Sequence, residues 1–191
     1  VLKPKDQGWS SALFSSRRVL PAWNDEGVTI RLRAVFQVSA QGEPDDAVVF
    51  VGFTPDLAVK RVQSTPNQAG LSLRFSRKKQ AVEAALAVKE AAGEDAKRRG
   101  DGQGNFVYFR YPGVSIAVAG EPVAMDLSLH LDEKKLSVKW EGRGFEQTLP
   151  HGLTEKFWAG GAAFILQVLN TGGGRSALRV EQLTVVQPTL D

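Results

Sequence analysis

From Val28 to Val38 the chain reads VTIRLRAVFQV, with Val28, Ile30, Leu32, Ala34, Phe36 and Val38 on one parity and Thr29, Arg31, Arg33 and Gln37 on the other. Side chains of a β-strand point alternately to opposite faces, so a two-residue period held this long specifies a strand with one face buried and one in water. A helix would scatter the same apolar groups around its axis. After the polar break SAQGEPDD, the run AVVFVGF from Ala47 to Phe53 is β-branched and aromatic with almost no polarity, as expected of a strand covered on both faces, and TPD ends it. LSLRFS from Leu71 alternates again, and FVYFRYPG from Phe106 carries aromatics on both parities.

Asp126 to Trp140 reads as a hairpin: Leu127, Leu129 and Leu131 alternate inward, DEKK turns, and Leu136, Val138 and Trp140 return on the inward face. FEQTL from Phe145, AFILQVL from Ala163 and LRVEQLTVV from Leu178 continue the pattern. In the last of these the apolar parity slips between Val180 and Leu183, which predicts a bulge near Glu181 and Gln182. QAVEAALAVKEAAGEDAKRRG from Gln80 is rich in helix formers, but Val82, Ala84, Leu86 and Val88 alternate. Read as a strand, it completes a hairpin with LSLRFS through RKKQ, and that reading is preferred to a helix with a thin apolar stripe. GEDAKRRGDGQGN after it is charged and glycine-rich, a loop.

The three glycines of NTGGG, Gly172 to Gly174, raise the question of a phosphate cradle. Such a cradle needs a helix after the glycines, with its N-terminal amides facing the anion, and no GxxxxGK[ST] occurs. The chain continues instead into ALRVEQLTVV, so NTGGG is read as a hairpin turn in which glycine supplies positive φ. Many short alternating segments without recurring long helices point to an all-β, antiparallel β-sandwich or barrel, expected as a single domain over 1–191.

Composition narrows the function classes. The chain has 191 residues and no cysteine, which removes disulfides and thiolate metal sites. No apolar run reaches the roughly 18 residues of a membrane span, and VLKPKDQGWS holds no apolar signal core. It also lacks an initiator methionine, consistent with processing, trimming or excision from a longer chain. A net charge of +3 permits an anionic partner without demanding one.

A long early strand VTIRLRAVF, a later hairpin LSLHLDEKKLSVKWEG and a closing strand ALRVEQLTVV together resemble the concanavalin A-like lectin and glucanase jelly roll, including its laminin G-like relatives. The resemblance spans roughly Trp9 to Pro188 and rests on strand order and texture. It implies a domain that binds or cleaves glycans, or an accessory module of a larger bacterial protein, in an extracellular, periplasmic or cell-surface setting. The hydrolases of that superfamily carry an ExDxxE strand, and none occurs here.

Acid pairs such as Asp25 with Glu26, or Asp126 with Glu141, are better read as solvated strand and turn residues. The only histidines are His130, on an outward strand position, and His151, too few for a multi-histidine zinc site or a triad of ordinary composition. DGQGN from Asp101 offers oxygen ligands that make calcium the one candidate cofactor, although it lacks the distal glutamate of an EF-hand loop. Arg99, Gly100 and Asp101 form the tripeptide of some integrin ligands, read here as a chance occurrence in a charged loop. Arg77 to Lys79 and Lys97 to Arg99 are basic clusters interrupted by acids, which argues against a nucleic-acid track.

Aromatics supply the functional expectation. Flat rings meet the C–H patches of sugars while polar side chains take the hydroxyls, so an open aromatic and polar sheet face suits glycan binding. With Val107 and Phe109 inward, Phe106, Tyr108 and Arg110 line the other face of one strand. Trp23, Asn24 and Asp25, Trp158 and Asn170 are expected at its rim, whereas Trp140 shares the parity of Leu136 and Val138 and is core. The expected partner is a glycan or a protein surface.

Overall fold

The computed structural model of the chain describes residues 1–2, 9–15, 27–38, 47–56, 67–76, 81–90, 107–117, 122–132, 134–171 and 176–186. Eleven strands and one helix run in the order β1 (Trp9–Ser15), β2 (Val28–Val38), β3 (Ala47–Thr54), β4 (Gln68–Ser76), β5 (Ala81–Lys89), β6 (Val107–Ala117), β7 (Val123–Leu131), β8 (Lys135–Trp140), β9 (Arg143–Thr148), α1 (His151–Gly160), β10 (Ala163–Thr171) and β11 (Ser176–Val186). They form a six-stranded sheet of order β1-β10-β3-β4-β5-β6 and a five-stranded sheet of order β11-β2-β7-β8-β9. Every pairing is antiparallel. The chain changes sheet after β1, β2, β6, β9 and β10, which wraps the two layers around each other as a jelly roll.

The core lies between the sheets and is built from one parity of each strand. Val28, Ile30, Leu32, Ala34 and Phe36 of β2 are buried there, with Leu127, Leu129 and Leu131 of β7 and Leu136, Val138 and Trp140 of β8. The six-stranded sheet answers with Ala47, Val49, Val51 and Phe53 of β3, Ala69, Leu71, Leu73 and Phe75 of β4, and Val82, Ala84, Leu86 and Val88 of β5. Phe36 and Phe75 stack across the gap, with ring centroids 3.9 Å apart and planes 28° apart.

The segment from Ala81 is a strand despite its helix-forming composition. It pairs in register with β4 from Gln68↔Lys89 to Ser76↔Ala81, and the buried alternation of its valines and leucine overrides propensity. The predicted bulge is also present, because the β11–β2 register shifts between Val180 and Gln182. A second irregularity, between Glu83 and Ala85 where β5 meets β6, was not legible as parity. β6 is an edge strand and contains Pro112, a residue that edge strands accommodate because no neighbour needs its missing N–H.

The expected hairpin at NTGGG is corrected. β10 lies in the six-stranded sheet and β11 in the five-stranded one, so the intervening link joins two layers and does not reverse between paired strands. The physical reason is burial: β10 is apolar on both parities and needs cover on both faces, whereas β11 has one solvated side and fits a sheet edge. Gly172 to Gly174 lie outside the described residues. The continuation into a strand, which excludes a phosphate cradle, holds.

α1 joins β9 to β10 and drives Leu153 and Phe157, one turn apart, into the core. Pro150 precedes it without a side-chain cap. Glu90, just past β5, places its carboxylate at the first turn, close enough to leave no room for a Cβ on Gly152, where negative charge complements the helix dipole. Lys156 Nζ donates to Asn67 Oδ1 at 3.0 Å and stands 4.0 Å from Glu90 Oε1, which ties the helix to the ends of β4 and β5. Among the described residues no helix is long and apolar enough to cross a membrane.

Replacing Phe36 with Ala removes one ring of the inter-sheet stack and leaves a cavity that close-packed neighbours fill only in part. The expected loss is about 3–5 kcal/mol of unfolding free energy, read as a lowered urea midpoint with unchanged slope.

Candidate functional site

The outer faces of the two sheets differ. On the five-stranded sheet the outward side chains are solvated and form exposed ion pairs: Arg33 with Asp126 at 3.4 Å, Lys135 with Glu146 at 3.1 Å and Arg179 with Glu181 at 2.8 Å. Thr29 Oγ1 and His130 Nδ1 are 2.9 Å apart on the same face. Glu141 Oε1 accepts from the backbone N–H of Asp126 at 3.4 Å, so these two acids sit in a solvated strand and turn setting.

The six-stranded sheet is buried on its second face as well. Strand register arranges that face in rows across the sheet. One row runs Leu13, Gln167, Phe50, Ser72, Ala85, Arg110. The next runs Ser15, Ile165, Gly52, Gly70, Ala87, Tyr108. On the far side of the first lie Leu169, Val48, Arg74 and Glu83, and beyond the second lie Ala163, Thr54, Gln68 and Lys89.

Phe50 organises the middle of this face. Gly52 and Gly70 pair across β3 and β4, and a Cβ on either would collide with backbone of the opposite strand and with the Phe50 ring. The two glycines therefore leave a hollow in which the Phe50 ring lies along the sheet, a close approach that glycine inside a strand permits. Gln167 and Ser72 flank Phe50 in register, and all three are buried, Gln167 at 1% exposure.

At the far end Thr54 Oγ1 donates to the Asn67 carbonyl at 2.6 Å and accepts from the Asp56 N–H at 3.1 Å, which closes the end of β3. Gln68 and Lys89, register partners, are buried beside it. Loss of hydration in this setting holds the Lys89 ammonium below the usual lysine range.

Of the expected site residues, Tyr108 and Arg110 take register positions opposite Ala87 and Ala85, while Val107 and Phe109 pair with the core residues Val88 and Leu86. This agrees with the parity read from the sequence. Trp158 belongs to α1, the link between β9 and β10, and not to the sheet rows. Asn170 is corrected. It is buried at 2% exposure on the core parity of β10, and its Oδ1 accepts the Ser176 hydroxyl across the link to β11, so it clamps the sheet crossing and does not rim an open face.

The openness of the face is also corrected, since Phe50, Ser72, Gln167 and Ala87 are buried. Trp23, Asn24, Asp25, Phe106, the Asp101–Asn105 loop with its calcium-type oxygens, and both basic clusters lie outside the described residues. Among the described residues no group of three or more acidic, histidine or cysteine side chains could hold a metal ion. Sequence reasoning missed Phe50, Ser72 and Gln167. The available signals were the glycine inside AVVFVGF and a lone glutamine inside AFILQVL.

No protein-family model matches the chain, and a comparison with curated proteins finds no match. Solved structures share the fold. One comes from work on endo-acting O-glycanases by which members of the human gut microbiota initiate mucin breakdown; its TM-score is 0.60 at 11% identity, over 98% of this chain and 79% of that one. The metal-free exoplasmic/lumenal domain of VIP36 gives 0.55 at 11% identity, over 100% and 80%. The metal-free carbohydrate recognition domain of Emp46p gives 0.54 at 10% identity, over 100% and 88%. At such identities the likeness is one of architecture.

Burial of Lys89 sets a pH dependence of stability. The unfolded lysine titrates near 10.4, about the ordinary value, and the folded one lower. Between the two, the unfolded chain binds more protons, so stability rises with pH through that window; below the folded value the penalty of a buried charge acts in full. Urea midpoints are expected to climb as pH is raised through that window, and Lys89→Met is expected to flatten the climb. Parallel curves for the two proteins would contradict this account.

Proposed function

Because the chain has the concanavalin A-like jelly-roll fold, we propose that it is a non-catalytic carbohydrate-binding domain whose ligand meets the second face of the six-stranded sheet. The observation that carries this reading is the shared architecture, since one structure with it is a carbohydrate recognition domain. A ring set among polar side chains suits a sugar, whose C–H patches want a flat partner and whose hydroxyls want directed ones. Tyr108 and Arg110, at register positions opposite Ala87 and Ala85 on the edge strand β6, are the ring and the donor of this proposal. Trp23, Asn24 and Asp25 complete the rim in this proposal, with calcium as an optional bridge.

Two of the structural neighbours support the reading by their names, since one is a carbohydrate recognition domain and another an exoplasmic or lumenal one. The setting we assign accordingly is extracellular, periplasmic or cell-surface, with the domain free-standing or part of a longer chain. A printed glycan array, probed with and without calcium, tests the proposal. Tyr108→Ala is expected to weaken binding about tenfold, the scale of one lost aromatic contact. Lys139→Ala, on the opposite sheet, is expected to leave it unchanged, and equal signals from all three proteins would remove the face from consideration.

One observation favours a second reading, cleavage of the bound glycan: Glu83 lies on this face opposite Arg74, and a neighbour comes from work on O-glycanases. Glycoside hydrolysis uses two carboxyl groups flanking one bond, so Glu83 would be one of the pair. If the chain cleaves a glycan that it binds, Glu83→Gln abolishes product in chromatography of the reaction while binding persists.

A further inference from the structure

The outer face of the five-stranded sheet satisfies its polar side chains row by row, with one exception. Register places Arg33 opposite Asp126, and the two form an ion pair. Farther along the strands Thr29 and His130 share a row and meet through Oγ1 and Nδ1, with Ser137 and Glu146 continuing it. Glu146 turns to Lys135 at 3.1 Å. The row between these two runs Thr184, Arg31, Ser128, Lys139, Gly144. In it the side chains of Arg31, Ser128 and Lys139 make no hydrogen bond or ion pair with any described residue. Arg31 and Lys139 are exposed and Ser128 is half-buried, so all three can be reached from solvent.

The contrast with the other cations gives the row its meaning. Arg33, Lys135, Lys156 and Arg179 each stand against a carboxylate. The acids that flank the row, Asp126 and Glu146, are thus already engaged, and two positive charges are left without a counter-charge. Arg31 and Lys139 lie on strands separated by one, about 9–10 Å apart at Cα. That spacing is within the Debye length of roughly 10 Å at 0.1 M salt, so their repulsion is only partly screened. An anion seated between them relieves it.

The donor set selects the kind of anion. A guanidinium fork, an ammonium and a hydroxyl supply hydrogen bonds from two sides and from beneath, because short Ser128 lies between two long side chains. A carboxylate has two oxygens in one plane, whereas a phosphate or sulfate turns three toward a surface. Gly144 ends the row without a side chain, which leaves the Lys139 flank unobstructed. We infer that the Arg31–Ser128–Lys139 row binds a tetrahedral oxyanion, a phosphate or sulfate group either free or esterified to a sugar. The site lies on the sheet opposite the proposed glycan-binding face and does not depend on that reading.

The test is to follow the amide chemical shifts of Arg31, Ser128 and Lys139 while inorganic phosphate, inorganic sulfate or glucose 6-phosphate is added, with sodium chloride holding the ionic strength constant. The three amides are expected to shift together and saturate. Arg31→Ala and Lys139→Ala are each expected to weaken the affinity about fivefold, the scale of one charge-assisted hydrogen bond in water, with melting temperatures in phosphate-free buffer unchanged. Lys139→Ala keeps its binding on the six-stranded sheet, which separates the two sites. Tighter binding of glucose 6-phosphate than of inorganic phosphate assigns a phosphorylated sugar as the ligand, and equal affinities assign the free ion. Shifts that rise without saturating, that chloride reproduces, or that persist unchanged in Arg31→Ala overturn the inference and leave the carbohydrate reading untouched.

Discussion

Phe36 and Phe75 face each other across the sandwich, and their stack states the constraint on every strand around them: apolar groups must arrive on the parity that points into the gap. A slip of one residue would send the whole inward set of a strand to the solvent side. β11 shows how the chain meets this demand when its sequence drifts. Leu178 is buried opposite Phe36 before the bulge, and Leu183 packs against the core opposite Leu32 after it, so the extra residue between Val180 and Gln182 restores the inward face. The bulge also disrupts an edge strand that already carries the Arg179–Glu181 pair and a bridge from Leu2 to Leu178, features that discourage a second chain from adding there.

The same constraint explains why the candidate site lies on one sheet and not the other. β3 and β10 are apolar on both parities, so the sheet that holds them at its centre is buried twice over. Once a second face is removed from water, any polar side chain left on it must find hydrogen bonds or incur a desolvation penalty. Gln68, Ser72, Gln167 and Lys89 stand on that face nonetheless. The five-stranded sheet keeps its charges in water, where ion pairs contribute little and salt screens them.

Legibility in the sequence followed the range of the interaction. Alternation is local, and it was enough for β2, the β7–β8 hairpin, the bulge in β11 and even β5, where periodicity outweighed alanine and glutamate. The parity of β6 likewise assigned Tyr108 and Arg110 to the outer rows. Layer assignment is not local. Glycines at NTGGG suit a hairpin and a sheet crossing equally, and what decides between them is which sheet edges are free, a property of the whole fold. Asn170 was misjudged for the same reason, because its surroundings depend on where β11 departs. The hollow under Phe50 needs Gly52 to meet Gly70, and that meeting depends on the β3–β4 register, which neither segment specifies alone.

A polar group buried on a sheet face is retained against a steady physical pressure, since an apolar residue of similar volume at the same place commonly stabilises a protein as well or better. Ser72 sits between Phe50 and Ala85, and Gln167 between Phe50 and Leu13 in register, positions where alanine or leucine would suit the fold as such. An exposed serine or glutamine on the five-stranded sheet is placed differently, because water competes for every bond it makes. Ser72 and Gln167 stand instead in the covered rows that contain Phe50 and its glycine hollow, where the lower local dielectric strengthens each bond they make.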